Sequence, residues 1–274
     1  MTIAAETYTL ANGVAIPKIG FGTWQMPDGE ETYQAVLFAL QNGYKHVDTA
    51  RAYGNEPSVG RAVRDSGIAR DQIFVTTKLP AEVKDYDAAL ASFETTMGAL
   101  GLDYVDLYLI HAPWPWDQKG ADFRKENGDV WRALEEIYRG GRCRAIGVSN
   151  FSVDDLTTLA QTSTVTPMAN QIRFFIGNTQ EDVTRYCQEH NILVEAYSPL
   201  ATGALLQNED VATIARKYGT SVSQLSIRYT LQRGTLPLPK STHTERILQN
   251  ADVDFTIEEE DMRHLDGLRD TARR

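Results

Sequence analysis

The chain has 274 residues, 42% of them hydrophobic, and a formal net charge of −10. The length suits either two small domains or one large α/β barrel, for which about 250 residues is typical; Pro and Gly are scattered with no linker, so one domain over 1–274 is expected. The acidic balance argues against a nucleic-acid partner, and no run approaches the ~18 consecutive apolar residues that a membrane helix needs. The first ten residues lack the basic and apolar segments of an export signal, and Cys143 and Cys187 are too few for a disulfide framework. A cytoplasmic monomer with free thiols is the expectation.

In chain order, T-Y-T-L-A-N-G-V-A-I opens the pattern, with Asn12-Gly13 between apolar runs marking a β-hairpin. Short apolar, β-rich runs then recur at 18–23, 46–49, 73–78, 105–110, 144–149, 169–174, 193–198 and 236–239, with segments of helical period in the intervals. Eight strands alternating with helices predict a (β/α)8 TIM barrel, with the hairpin plugging its bottom and extra helix at 246–249 and 257–268. The rival is a doubly wound dinucleotide-binding sheet. Its fingerprint is missing, because Gly20-Phe21-Gly22 is not followed by Gly or Ala at Gln25, and no Tyr is followed four residues later by Lys.

Asp48, Tyr53, Lys78 and His111 each fall at the C-terminal end of a different predicted strand or in the loop after it, where such a barrel keeps its chemistry. A phenol can give a proton, an ammonium can lower its pKa, a carboxylate can hold the ammonium, and an imidazole can orient a carbonyl. Any one of these residues alone would be an ordinary surface or core group. Together they suggest carbonyl reduction. Lys240, Ser241, Thr242 and Arg246 follow the last strand, the barrel's usual phosphate position, and a local cationic pair on so acidic a chain suits a phosphate dianion.

These residues lie in a longer pattern. G-Y-K-H-V-D-T-A-R-A-Y-G-N-E, L-G-L-D-Y-V-D-L-Y-L-I-H, A-I-G-V-S-N-F, A-Y-S-P-L and L-P-K-S-T-H-T-E-R follow one another along the chain. In that order they resemble the aldo-keto reductase superfamily, from the hairpin to about Asn250, and in particular its prokaryotic branch with the diketogluconate reductases. The resemblance implies Tyr53 as general acid, with Asp48, Lys78 and His111 around it, and NADPH/NADP+ as cofactor. It also implies that Ser149, Asn150 and Gln171 hold the nicotinamide carboxamide, and that Tyr197 stacks on the ring. Thr23, Ser198, Leu200, Lys240, Ser241, Thr242, Arg246 and Asn250 complete the implied cofactor set, and Trp24, His111 and Trp114 the substrate set. The partner is then a small carbonyl compound.

Two positions depart from the family pattern. Ala112 stands where many relatives carry Trp, so that Trp114 and Trp116 are candidates to refill that wall, and Arg173 replaces a common Glu. Arg173 shares a strand face with Gln171, and Glu195 shares one with Tyr197 on the next strand, so an Arg173–Glu195 ion pair inside the mouth is expected. Two other classes of function remain open at this point: an NADPH-binding sensor on the same fold, and a metal-dependent hydrolase using His46 and Asp48, which alternate on one strand. No metal is expected.

Overall fold

Short, near-continuous apolar runs leave each strand with two faces to bury, and a parallel sheet covered by helices buries both. The structure, a computed structural model, describes residues 3–272. Thr7–Thr9 (β1) and Ala15–Pro17 (β2) form an antiparallel hairpin. Eight parallel strands follow: Phe21–Gly22 (β3), His46–Asp48 (β4), Phe74–Leu79 (β5), Val105–Ile110 (β6), Cys143–Ser149 (β7), Ala169–Arg173 (β8), Leu193–Tyr197 (β9) and Leu236–Leu238 (β10). The first six intervals hold one helix each: Glu30–Gln41 (α1), Glu56–Asp65 (α2), Tyr86–Leu100 (α3), Arg124–Arg139 (α4), Val153–Ala160 (α5) and Glu181–Glu189 (α6). Glu209–Lys217 (α7) and Val222–Gln232 (α8) lie between β9 and β10, and Thr244–Ala251 (α9) and Glu259–Gly267 (α10) come last.

The strands neighbour one another in sequence order. Closure comes from Gly20 and Gly22, whose backbone N–H groups donate to the Pro237 and Pro239 carbonyls, each at 3.0 Å. The strand predicted over 18–23 shortens to Phe21–Gly22 because its neighbour is interrupted by two prolines, which accept hydrogen bonds but cannot donate them. The result is the expected (β/α)8 barrel.

Alternation divides the core in two. Val47, Val75, Leu79, Tyr108, Ile110, Ile146, Val148, Ile172, Val194 and Ala196 point outward and pack under the helices. Phe74, Leu107, Leu109, Ala145, Ala169, Leu236 and Leu238 point inward, and Leu10 and Ile16 of the hairpin segment join them. The hairpin therefore plugs the bottom, pinned there by Asn12 Nδ2 donating to the Arg144 carbonyl at 2.9 Å. The C-terminal helices are longer than 246–249 and close to 257–268. Tyr44 ties the first to the barrel through the Ile247 carbonyl, and Tyr229 ties the second through Asp266. Among the described residues no helix is long and apolar enough to cross a membrane.

Ile16 is fully buried at the centre of the plug. Ile16→Ala is expected to cost about 2–5 kcal/mol in urea unfolding, while ligand affinity at the opposite mouth of the barrel changes little.

Candidate active site

The inward positions of β4 and β5 bring Asp48 and Lys78 together inside the barrel. Lys78 Nζ lies 2.7 and 2.8 Å from the two Asp48 carboxylate oxygens, and donates also to the Thr49 carbonyl at 2.8 Å and to the Tyr53 hydroxyl at 3.4 Å. Tyr53 ends a short 3-10 turn, Arg51–Tyr53, which Gly54 closes in the left-handed region at φ 71°. His111 follows β6 directly, and its ring meets Tyr53 edge to face at 5.5 Å. The four groups predicted from strand ends thus come together, with Asp48, Lys78 and His111 around the Tyr53 phenol.

Burial governs their charge states. It acts to lower the Lys78 pKa, but the Asp48 charge and hydrogen bonds, with Tyr53, carry it net upward, so Lys78 is an ammonium. Tyr53 is pushed up to about 12, mainly by burial; Lys78 pulls it down and Asp48 pushes it up. The expectation that the ammonium would bring the phenol below its ordinary value is therefore corrected, since desolvation outweighs the cation. Burial, then the Lys78 charge, lowers His111 to about 3, so its imidazole is neutral. His111 Nδ1 is buried without a hydrogen-bond partner.

Beneath this set, Gln171 Nε2 donates to Asp48 Oδ2 at 2.8 Å and to Glu195 Oε2 at 3.0 Å. Glu195 is fully buried, with His46 Nε2 4.0 Å from its other oxygen, and His46 bonds Thr76 Oγ1 at 2.9 Å. Burial first, then the Asp48 charge, raises Glu195 to about 8, whereas burial and Lys78 lower His46 to about 3. Arg173 does not pair with Glu195. It is exposed at the rim, with its guanidinium 5.0 Å from the Phe175 ring centroid. The face assignment holds, but Arg173 is level with Tyr197, one pleat above Glu195, and a guanidinium at that height reaches water.

One cavity of about 1080 Å³ runs from this floor to the segment after β10, and its lining includes Asp48, Tyr53, His111, Ser149, Asn150, Gln171, Tyr197, Ser198, Leu200, Lys240, Ser241, Thr242, Arg246 and Asn250. Asn150, at φ 61°, donates through Nδ2 to the His111 carbonyl and to Ser149 Oγ, each at 3.0 Å, and accepts from the Tyr197 hydroxyl at 2.8 Å. It is no helix cap, because Ser152 caps α5 in a capping box with Asp155. Lys240 and Arg246 are exposed, and neither has an ion-pair partner among the described residues.

A family model for the aldo/keto reductases matches residues 18–270. The chain belongs to the aldo/keto reductase family. A glyoxal reductase of Bacillus subtilis is 43% identical over 268 residues, covering 97% of this chain and 94% of its own. The crystal structure of an aldo-keto reductase from a deep-sea metagenome library superimposes with a TM-score of 0.90 at 41% identity, over 98% of this chain and 96% of its own. A Bombyx mori aldo-keto reductase in complex with NADP gives 0.88 at 33% identity, over 98% and 94%.

Within this reductase two expected site residues lie elsewhere. Thr23 is fully buried behind the cavity wall, where its hydroxyl donates to the Asp48 carbonyl at 3.0 Å, so it supports β4 and does not line the cavity. Trp114 does not line the cavity. Its ring backs Trp116 at 5.3 Å, and Trp116 in turn meets His111 edge to face at 5.4 Å and forms the wall with Trp24. Sequence reasoning put Trp114 in the substrate set and left Trp116 as a candidate for the same wall, because neither belongs to a strand whose alternation would aim it. Ala52 and Leu206 also line the cavity; neither carries chemistry that a sequence would flag.

The buried acid and imidazole oppose each other in pH. Glu195 keeps its proton in the folded state to about pH 8, while an unfolded chain releases it near 4.5, so its contribution to stability is full below 4.5 and is lost as pH rises towards 8. The depressed His46 and His111 do the reverse, and stability falls as pH drops from 6.5 towards 3. Urea unfolding of Glu195→Gln against the parent should show the variant gaining about 2–4 kcal/mol between pH 5 and pH 8; parallel stability curves would contradict the protonated, buried acid.

Proposed function

We propose that the protein reduces aldehydes, ketones or α-dicarbonyls to alcohols with NADPH, Tyr53 delivering the proton. The observation that carries this is the single ammonium of Lys78, held by both oxygens of Asp48 and placed 3.4 Å behind the Tyr53 hydroxyl at the cavity floor. The residues present fit the cofactor. Lys240 and Arg246 offer two unpaired cations beside the α9 N-terminus for the 2′-phosphate, Gln171, Ser149 and Asn150 offer polar groups for the carboxamide, and Tyr197 offers a ring face. NADPH, when bound, supplies the hydride.

The chain's own residues do the rest. His111, a neutral imidazole, donates a hydrogen bond to the carbonyl oxygen and so orients it. Tyr53, protonated throughout the physiological range, gives its proton to that oxygen as negative charge develops there. Lys78 then stabilises the phenolate left behind, in a site where low dielectric strengthens the interaction, until solvent returns the proton. Trp24 and Trp116 wall the substrate end.

A sensor built on this fold would not need Asp48, Lys78 and His111 arranged around one phenol. Nor does the floor suit a hydrolytic metal, since Asp48 is committed to an ammonium on both oxygens. The glyoxal reductase relative supports α-dicarbonyls among the substrates. The reading is of a cytoplasmic monomer acting as one domain, and the buried, unpaired Cys143 and Cys187 accord with a reducing compartment.

Loss of NADPH absorbance with glyoxal-type, aromatic-aldehyde, pentose and diketogluconate substrates tests the reading, and no turnover with any of them would count against it. Tyr53→Phe should lower kcat by about 100-fold or more while the NADPH dissociation constant stays within about twofold; retained turnover would remove Tyr53 from the acid role. Arg246→Ala should weaken NADPH by about tenfold or more and leave NADH nearly unaffected. Equal losses for both nucleotides would place the 2′-phosphate elsewhere.

A further inference from the structure

We propose that Glu195 is a positioning residue: with Asp48 it locks the Gln171 side-chain amide so that Oε1 faces the cavity and reads a hydrogen-bond donor on the cofactor's nicotinamide. The inference rests on the NADPH reading above and adds a residue to it.

A glutamine amide has two donors on one end and an acceptor on the other, and a flip exchanges them. In Gln171 both N–H bonds of Nε2 are taken, one by Asp48 Oδ2 from across the barrel and one by Glu195 Oε2, its register partner on β9. The flipped amide would set its oxygen against the Asp48 oxygen that already accepts from Lys78, and would lose both hydrogen bonds. Oε1 meanwhile has no partner among the described residues and belongs to a residue that lines the cavity. Gln171 therefore offers its ligand an acceptor.

The other polar groups near it are differently engaged. Asn150 uses Nδ2 on the His111 carbonyl and Ser149 Oγ, and Oδ1 on the Tyr197 hydroxyl, while Ser149 Oγ donates to the Gln171 carbonyl. Among the described residues Glu195 itself has no other hydrogen bond. Its Oε1 is buried and unpartnered, and the nearest ionisable nitrogen is His46 Nε2 at 4.0 Å. A carboxyl group buried to that degree is costly, and the one hydrogen bond it has among the described residues is from Gln171. Its place on the floor thus answers to the amide above it. The chain of contacts runs Glu195, Gln171, Asp48, Lys78, Tyr53, and joins the cofactor-reading atom to the acid.

The consequence is selectivity for a carboxamide NH2. The test is equilibrium binding without turnover: NADP+ and its acetylpyridine analogue, in which methyl replaces the amide NH2, titrated by tryptophan fluorescence into the parent, Glu195→Leu and Glu195→Gln. The parent should prefer NADP+ by about five- to tenfold, the worth of one hydrogen bond, and Glu195→Leu should narrow the ratio to about twofold or less. Glu195→Gln should keep the parent ratio, because its amide oxygen can accept the same N–H. General loosening of the barrel would shift both nucleotides together and leave the ratio alone. A parent-like ratio in Glu195→Leu, or a ratio lost equally in Glu195→Gln, would overturn the role of Glu195; Glu195→Met serves as the apolar variant if the leucine variant does not fold. Failure of the parent to bind NADP+ at all would instead remove the cofactor reading, and the inference with it.

Discussion

The ion pair between Asp48 and Lys78 is the contact on which the rest of the site depends. Both groups are buried, and taking two charges from water into a barrel is expensive unless the remaining donors and lone pairs are met. Here they are met by the Thr49 carbonyl, the Tyr53 hydroxyl and the Gln171 amide. Each of those partners is itself a functional position or its immediate neighbour. Breaking one side of such a pair costs about 3–5 kcal/mol, so the same contacts that place the Tyr53 phenol also hold the mouth of the barrel in one arrangement.

The fold makes this possible by separating two packing problems. Outward side chains seal the strands against the helices, and inward side chains fill the bottom of the barrel with the hairpin. The upper inward positions are thereby left free for polar groups. His46, Asp48, Thr76, Lys78, Gln171 and Glu195 occupy them, so polar groups satisfy one another where water is excluded. Closure through Gly20 and Gly22 onto proline carbonyls keeps that interior shut although the last strand cannot donate in return.

Much of this was legible in the sequence, for a physical reason. Strand alternation and strand ends are local properties, so the eight strands, the hairpin with its Asn12-Gly13 turn and Tyr53 with the three groups around it could be read from spacing. What spacing does not carry is height along the barrel. Arg173 and Glu195 were assigned to the right faces and still do not meet, because they sit at different levels of adjacent strands. Thr23 was one residue from the wall and faces the other way. Trp114 and Trp116 lie in and beside an irregular loop, where no period aims a side chain, and the wall falls to Trp116. The Tyr53 shift was misjudged for a related reason: its cation was foreseen, but the depth of burial that outweighs it is a property of the closed barrel.

The charge states give the arrangement its direction. Towards the substrate the floor presents a neutral phenol and a neutral imidazole, while the one permanent cation stands behind the phenol with its counterion. A lowered phenol pKa in the resting site would leave Tyr53 partly ionised and without a proton to give. In the reaction proposed above, a raised one would keep the proton in place until charge builds on the carbonyl oxygen, and the ammonium 3.4 Å away would then stabilise the anion as it forms. On that proposal desolvation, which raises the resting pKa, preserves the phenol's proton and strengthens the field that Lys78 exerts on it. The buried pair and the raised phenol are two results of the same exclusion of water.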